Sequence, residues 1–352
     1  MEIKEILEKL ISYQTIKENK KAFQEDFQFI EDMMPNNIMI EKYSFKDNLS
    51  IVLSNTKDKN LDIIFSSHID VVPHQEYVLK EDENNYYGRG VFDMKGAVSV
   101  LLKIMSELKS NLKIGLFITS DEEIDGYCTE QLLKLYTARV AIVPDGGKDF
   151  NLIEEEKGLL QLQITSKTKS AHASQPYNGD NAILELYRVY NEIIKLYPLP
   201  LNGEDYKTSI NLSTINGGDA LNKVPDLADM FLDIRHTSKN SKEEIIEDIK
   251  KISDKIEIKI CGSGILFKTN INNELIKNYI NVASEELNKE IKIISTESTS
   301  DAIYFCEKEI PTIIMNPIGD YAHCPNEFVN KKSLLTLYNI YLNYIEKLEG
   351  EN

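Results

Sequence analysis

The chain has 352 residues, 42% of them apolar, which is enough for a substantial core and for two domains. Lys plus Arg is 40 against Asp plus Glu 57, and the formal charge of −17 argues against nucleic acid and anionic membrane surfaces as main partners. No uninterrupted apolar run approaches the ~20 residues of a membrane span. The four cysteines, Cys128, Cys261, Cys306 and Cys324, are far apart and form no CxxC pair. With an amphipathic rather than a signal-peptide pattern at the N-terminus, they point to reduced thiols and a cytoplasmic protein.

Apolar residues at Ile3, Ile6, Leu7, Leu10 and Ile11, then at Phe23, Phe27 and Ile30, predict one or two helices before residue 35. Strands are expected around Ile38–Ile40 and Leu49–Leu53. A buried run, Leu61–Phe65, then ends in Ser66-Ser67-His68-Ile69-Asp70. A strand that stops at an imidazole and a carboxylate delivers polar side chains to the sheet end, where open α/β folds place their sites. His68 and Asp70, two apart, share a face on extended chain. Farther on, Gly88-Arg89-Gly90-Val91-Phe92-Asp93-Met94-Lys95-Gly96 sets Asp93 in a glycine-punctuated turn before the helix pattern of Ala97–Leu108. Lys113–Thr119 is a further buried strand, ending in Ser120-Asp121-Glu122-Glu123. A helix pattern over Glu130–Leu135 leads to a short strand, Val140–Val143, which ends in Pro144-Asp145-Gly146-Gly147. Three successive strand ends thus carry His68 and Asp70, Glu122 and Glu123, and Asp145. A mostly parallel sheet with helical crossovers follows. The triplet Glu154-Glu155-Glu156 reads as a solvated loop.

After Gly158 the texture changes. Leu160–Thr165 alternates with period two, the mark of a half-exposed strand. A helix over Ala182–Tyr197, strands over Ile210–Ile215 and Ala228–Ile234, a helix over Glu243–Ile252 and a strand over Ile256–Ile260 complete a βαββαβ order. That order suggests a small split-βαβ domain inserted into the first, giving residues 1–160 and 269–352 as a catalytic domain and 161–268 as the insert. From Asn273 the α/β texture resumes with a helix to Leu287, a strand near 291–294, the polar turn Ser298-Thr299-Ser300-Asp301, a strand near Pro311–Met315 and a closing helix over Ser333–Leu348.

His68, Asp93, Glu123, Asp145 and His323 form an N/O donor set that suits a borderline cation such as zinc. Two imidazoles and three carboxylates are too many for one tetrahedral zinc with an open position, and match two metals sharing a bridging carboxylate. A further carboxylate, unbound by metal, is then wanted as proton shuttle. The adjacent pair Glu122-Glu123 offers both roles.

These motifs, in this order, resemble the co-catalytic zinc aminoacylase/carboxypeptidase family, with its desuccinylases, deacetylases, carboxypeptidases and di- and tripeptidases. The resemblance rests on His68-Ile69-Asp70, Gly90-Val91-Phe92-Asp93-Met94-Lys95-Gly96, Glu122-Glu123, Asp145, Lys169-Ser170-Ala171-His172-Ala173, and Ala322-His323 with Asn326-Glu327. It implies an exopeptidase-like α/β catalytic domain with an α+β insert serving as a lid and, in dimeric members, as a dimer surface. It implies one zinc at His68 and Asp145, a second at Glu123 and His323, and Asp93 bridging them, with cobalt or manganese as substitutes. Asp70 would support His68, and Glu122 would be the general base. His172 would donate to the oxyanion, often from the partner subunit. Arg235 and Asn222 would contact the substrate, the arginine through its carboxylate-matching fork. At the third-ligand motif, Asp145 stands where deacylases often carry Glu, which resembles aminopeptidase and dipeptidase members. Ser298-Thr299-Ser300-Asp301 resembles the turn of desuccinylase-like members.

The expected function is therefore metal-dependent hydrolysis of the amide bond of a small N-acylated amino acid or short peptide, with a di- or tripeptidase or carboxypeptidase as the alternative. A non-catalytic ligand-binding or assembly protein on the same fold is the alternative of another class. Dimerisation through the insert stays open. His74 and His236 are read as incidental, and Cys324 as no ligand.

Overall fold

A computed structural model describes residues 1–202 and 205–351. The chain divides into two compact units. One comprises Met1–Glu154, Thr269–Ile294 and Ser300–Asn352, and the other Glu155–Lys268 and Ser295–Thr299.

The first unit opens with helices α1 (Ile3–Ser12) and α2 (Lys20–Met33). Reciprocal hydrogen bonds between Glu2 and Glu5 start α1, and the Asn19 side chain accepts from the Ala22 N–H to start α2. Strands β1 (Met39–Phe45) and β2 (Asn48–Ser54) form an antiparallel hairpin. Its two-residue turn, Lys46-Asp47, takes positive φ at both positions, as tight hairpins demand. Then come β3 (Asn60–His68), α3 (Lys95–Glu107), β4 (Ile114–Thr119), α4 (Tyr127–Leu132) and β5 (Thr137–Val143). The helix α4 begins earlier than the apolar pattern suggests. Gly126 adopts the left-handed conformation at its N-cap, and the buried Asp121 carboxylate accepts the Cys128 N–H, so the first turn is set from outside.

The second unit contains β6 (Gly158–Lys167), α5 (Ala182–Leu196), β7 (Ser209–Gly217), β8 (Leu227–His236), α6 (Lys242–Ile252) and β9 (Ile256–Ser263). Its four strands form an antiparallel sheet in the order β7-β8-β6-β9. The alternation in β6 buries Leu160, Leu162 and Ile164 against Leu186, Val189 and Ile193 of α5 and Ile245 and Ile249 of α6. The first unit then resumes with α7 (Glu274–Leu287), α8 (Ala302–Glu307), β10 (Thr312–Ile314) and α9 (Lys331–Glu349).

In the first unit six strands form one sheet in the order β1-β2-β4-β3-β5-β10. The strands β4, β3, β5 and β10 run parallel, and only the hairpin edge is antiparallel. The fold is thus the expected mixed α/β architecture with a mainly parallel sheet. Helix α3 is apolar on almost every side because it packs on β3 and against both α1 and α9.

One expectation fails. Glu154-Glu155-Glu156 is no solvated loop: a strand runs over Leu152–Glu156, and Glu155 and Glu156 are buried. The Glu155 carboxylate accepts from the Ser238 N–H at 2.9 Å and its hydroxyl at 2.5 Å, with Lys268 at 3.2 Å. Those partners lie more than 80 residues ahead, so a local charge count misreads the triplet.

Candidate metal centre

Parallel pairing brings three strand C-termini into line. His68 ends β3 opposite Thr119, the last residue of β4, and Phe65 pairs with Ile142, one residue before the end of β5. The polar residues that follow each strand therefore gather along one edge of the sheet, as the topology of open α/β folds favours.

At that edge the Nδ1 atom of His68 lies 3.0 Å from the carbonyl oxygen of Asp70 and 3.4 Å from its Oδ1. This anchors one side of the ring and leaves Nε2 3.2 Å from Asp93 Oδ1. The other oxygen of Asp93, Oδ2, is 3.0 Å from His323 Nε2, which is itself 2.9 Å from Glu123 Oε1. Donor atoms of His68, Asp93 and Asp145 lie within 4.8 Å of one another, and so do those of Asp93, Glu123 and His323. The two groups share Asp93, with one carboxylate oxygen facing each imidazole. The Asp93–Met94 peptide is cis.

Asp70 also reaches the next loop. Its Oδ1 accepts from the Glu122 N–H at 3.3 Å and its Oδ2 from the Glu123 N–H at 2.9 Å. Glu122 stands beside the group, with Oε2 4.0 Å from His68 Nε2. The loop is closed from below by Asp121, whose carbonyl accepts from the N–H groups of Ile124, Asp125 and Gly126. At the third strand end, Gly147 has φ +68°, and a Cβ there would meet the Asn151 carbonyl oxygen at 2.1 Å. Only glycine closes that turn behind Asp145.

Electrostatics favour a cation here. Burial, with the charges of Asp93 and Glu123, pushes Asp145 up to about 7. Burial and the charge of Asp145 raise Glu122 well above the ordinary carboxylate range. Burial disfavours a charged ring at His68, but Asp70, Asp93 and Glu122 outweigh it and raise its proton affinity. Hydrogen bonds to Asp93 and Glu123 push His323 up to about 10. Crowded carboxylates that must hold protons, and imidazoles that hold them too strongly, are relieved together by a multivalent cation. The buried Nε2 of His68, without a hydrogen-bond partner among the described residues, fits a metal ligand.

Two residues of this site carry no role in the sequence reading. The buried Glu327 carboxylate binds Arg89 Nη1 at 2.7 Å and accepts the N–H groups of Gly90, Phe92 and Asp93 at 2.9–3.1 Å. It therefore holds the whole turn that presents Asp93. The signal was the Asn326-Glu327 pair after His323, together with an arginine between two glycines. Asp301 is the second. It is buried, its Oδ2 accepts from Thr129 Oγ1 at 2.5 Å, and a Cβ on Gly126 would meet its Oδ1 at 2.3 Å. It thus packs on the end of the loop that carries Glu122.

The other expected residues belong to the second unit. His172 is exposed, with Nδ1 2.8 Å from Ser174 Oγ, and it bridges Lys223, next to Asn222. Arg235 lies eight residues along β8 from Leu227, roughly 26 Å at ~3.3 Å per residue, and its Nε donates to Asp233 at 2.8 Å. Within that unit the structure brings His172 and Asn222 together and sets Arg235 apart from them. His236 is buried, with neither ring nitrogen hydrogen-bonded among the described residues. Cys324 is exposed and free.

The sequence matches peptidase family M20/M25/M40 over residues 64–347. It is 30% identical to an uncharacterised metallohydrolase of Methanocaldococcus jannaschii, covering 94% of this chain and 93% of that protein. It is 26% identical to a succinyl-diaminopimelate desuccinylase of Rickettsia bellii, over 85% of this chain and 83% of the relative. An aminopeptidase of Bacillus cereus has the same fold, with a TM-score of 0.76 at 18% identity and coverage of 98% and 97%. No helix among the described residues is long and apolar enough to cross a membrane. Family match, overall likeness and the carboxylate–imidazole cluster agree: the chain belongs to peptidase family M20/M25/M40 and is a metal-dependent hydrolase.

Proposed function

We propose that the chain hydrolyses the amide bond of a small N-acylated amino acid or short peptide, using two divalent cations. Zinc suits the donor set best, with cobalt or manganese as substitutes. His68 and Asp145 would hold one ion, Glu123 and His323 the other, and Asp93 both. The observation that carries this reading is the split of Asp93, one oxygen toward each imidazole. When bound, such a pair supplies an activated water and a polarised carbonyl.

The rest of the chemistry falls to the chain. Glu122, in neither donor group and 4.0 Å from His68 Nε2, takes the proton of the attacking water and returns it to the leaving nitrogen. Asp70 orients His68 through Nδ1 and fixes the backbone of Glu122 and Glu123, so base and ligands keep one spacing. His172 is assigned to the oxyanion and Asn222 to the substrate, supported by their adjacent, exposed positions. Arg235 is assigned to a substrate carboxylate, a role suited to its planar fork. Asp145, rather than glutamate, favours a peptidase as the second reading.

We also infer a homodimer through the second unit. The strand β7 is a sheet edge, and Leu184, Tyr187 and Ile215 are large, apolar and exposed. Four widely spaced cysteines without a CxxC pair suit a reducing, cytoplasmic setting. The test is a panel of N-acetyl, N-succinyl and N-formyl amino acids beside di- and tripeptides, assayed with zinc and after chelation. Chelator-sensitive release from either set supports the reading. Silence across both sets, with metal bound, refutes it.

A further inference from the structure

Behind the loop that carries Glu122 and Glu123, the first unit holds a cavity of about 100 Å³ whose walls include none of the candidate metal ligands. Its apolar surface comes from Phe23, Leu49 and Ile124, and Lys17 and Lys20 line it too. Lys17 is exposed and has no side-chain ion pair or hydrogen bond among the described residues, so its ammonium is available to a ligand. Among the described residues the only acidic side chain in the lining is Asp47, 3.7 Å from Lys20 and largely exposed. Two exposed lysines in the same lining as three apolar side chains match an anion with a short hydrocarbon tail. The volume is about two-thirds of the ~150 Å³ that accommodates benzene, so the tail is limited to a few carbons.

The cavity wall is joined to the loop by three links. The Leu49 N–H donates to Ser120 Oγ at 3.1 Å, and Asn48 Nδ2 donates to Asp121 Oδ2 at 3.2 Å. Ile124 is both a wall residue and the next residue after Glu123. A ligand seated here therefore presses on the segment that carries the base.

We propose that this cavity is an effector site for a small aliphatic carboxylate, with Lys17 and Lys20 taking the anion and Phe23, Leu49 and Ile124 the tail. Binding biases the position of the Ser120–Gly126 loop and so alters turnover without competing with substrate. The effector role rests on the hydrolase reading above; the binding site does not. Hydrolysis of any amide releases a carboxylate, so the ligand belongs to the class of the reaction's own products.

The test uses butyrate as probe. It is titrated by calorimetry into the 352-residue protein stripped of metal with a chelator, which removes carboxylate binding at the metal centre. Wild type and a Lys17→Ala/Lys20→Ala variant are compared, with melting curves to verify folding. The expected result is saturable millimolar binding to wild type and about tenfold weaker binding to the variant, as loss of charge-assisted hydrogen bonds dictates. Equal affinity in the two proteins, or no saturation by about 50 mM, roughly fiftyfold beyond a Kd of about 1 mM, overturns the site. With metal-loaded enzyme, butyrate is expected to change kcat at constant KM in wild type only. A purely competitive effect, or the same effect in the variant, overturns the effector role. Lysine-dependent binding to stripped protein, with no turnover of any amide, keeps the site and refutes the hydrolase reading instead.

Discussion

Arg89 Nη1 lies 2.7 Å from Glu327 Oε2, a buried pair joined across 238 residues of sequence. The same carboxylate accepts three backbone N–H groups of the turn that ends at Asp93. Burial raises the proton affinity of Glu327, and those hydrogen bonds with the Arg89 charge oppose the rise. Its contribution is positional: it converts a flexible glycine turn into a fixed mount for the shared carboxylate.

Replacing Glu327 with Gln should leave Arg89 buried without its counter-charge, at a cost of about 3–5 kcal/mol. Metal affinity should fall about 10–100-fold, the usual effect of losing a residue that supports a ligand. Chemical denaturation and metal titration measure the two effects. Unchanged metal affinity in a folded variant would remove Glu327 from the centre.

The Glu122→Gln variant should retain its bound metal and lose at least about 10²-fold in kcat, within the range assigned to general acid–base catalysis. Substrate KM should change little. Metal content by elemental analysis separates this outcome from simple loss of the centre, and wild-type turnover would refute the proton-transfer role.

Asp301 should act on Glu122 through the loop rather than through substrate. An Asp301→Ala change removes the acceptor for Thr129 and leaves space over Gly126. Stability should fall by about 1–3 kcal/mol, and kcat should drop while metal content stays at the wild-type level. Asp301→Asn keeps an acceptor for Thr129 and should recover most of the stability. Equal loss of stability in both variants would contradict this account.

Asp26 on α2 supplies a pH prediction. It is fully buried, 3.9 Å from Lys95 Nζ, and neither of its oxygens is hydrogen-bonded among the described residues. Burial pushes it up to about 7, against the opposing charge of Lys95. An acid whose folded affinity for protons exceeds its unfolded affinity binds more protons in the folded state over that interval. Stability contributed at low pH is therefore lost as pH rises from the ordinary carboxylate value toward 7, by at most about 1.4 kcal/mol per pH unit. Relative to wild type, Asp26→Asn should gain stability between pH 5 and pH 8. Denaturation curves at both values test it, and a pH-independent difference would mean that Asp26 does not titrate there.

If β7 and α5 form a dimer surface, Leu184→Glu with Ile215→Lys should give a monomer by sedimentation. Both side chains are exposed in the single chain, so folding should be preserved. A wild-type protein that is already monomeric at micromolar concentration would refute the dimer.

The gathering of polar residues at strand ends was legible in the sequence. A buried apolar run stopping at His68, or at Glu122-Glu123, places polar groups at a sheet edge by pattern alone, and the order of motifs supplied the rest. Residues that act through contacts between distant parts of the chain were not. Glu327, Asp121 and Asp301 make contacts set by the tertiary path of the chain, which leaves no periodicity to read. Glu155 misled for the same reason, because a run of acids looks solvated until its partners, Ser238 and Lys268, are folded against it. The pairing of β1 with β2 was visible as two strands but not as an antiparallel edge, since its turn lacks the glycine or asparagine that usually announces one.

The Asp70 carboxylate holds Glu122 and Glu123 by their amides while its residue also steadies the His68 ring. If His68 and Glu123 hold an ion and Glu122 is the base, as proposed, proton-transfer distance and ionic radius are mechanically linked, because an ion that moves either ligand carries Glu122 with it. Exchanging one metal for another in this enzyme is then a change of geometry as much as of Lewis acidity. Rates across a metal series should follow the size of the ion as well as its charge density.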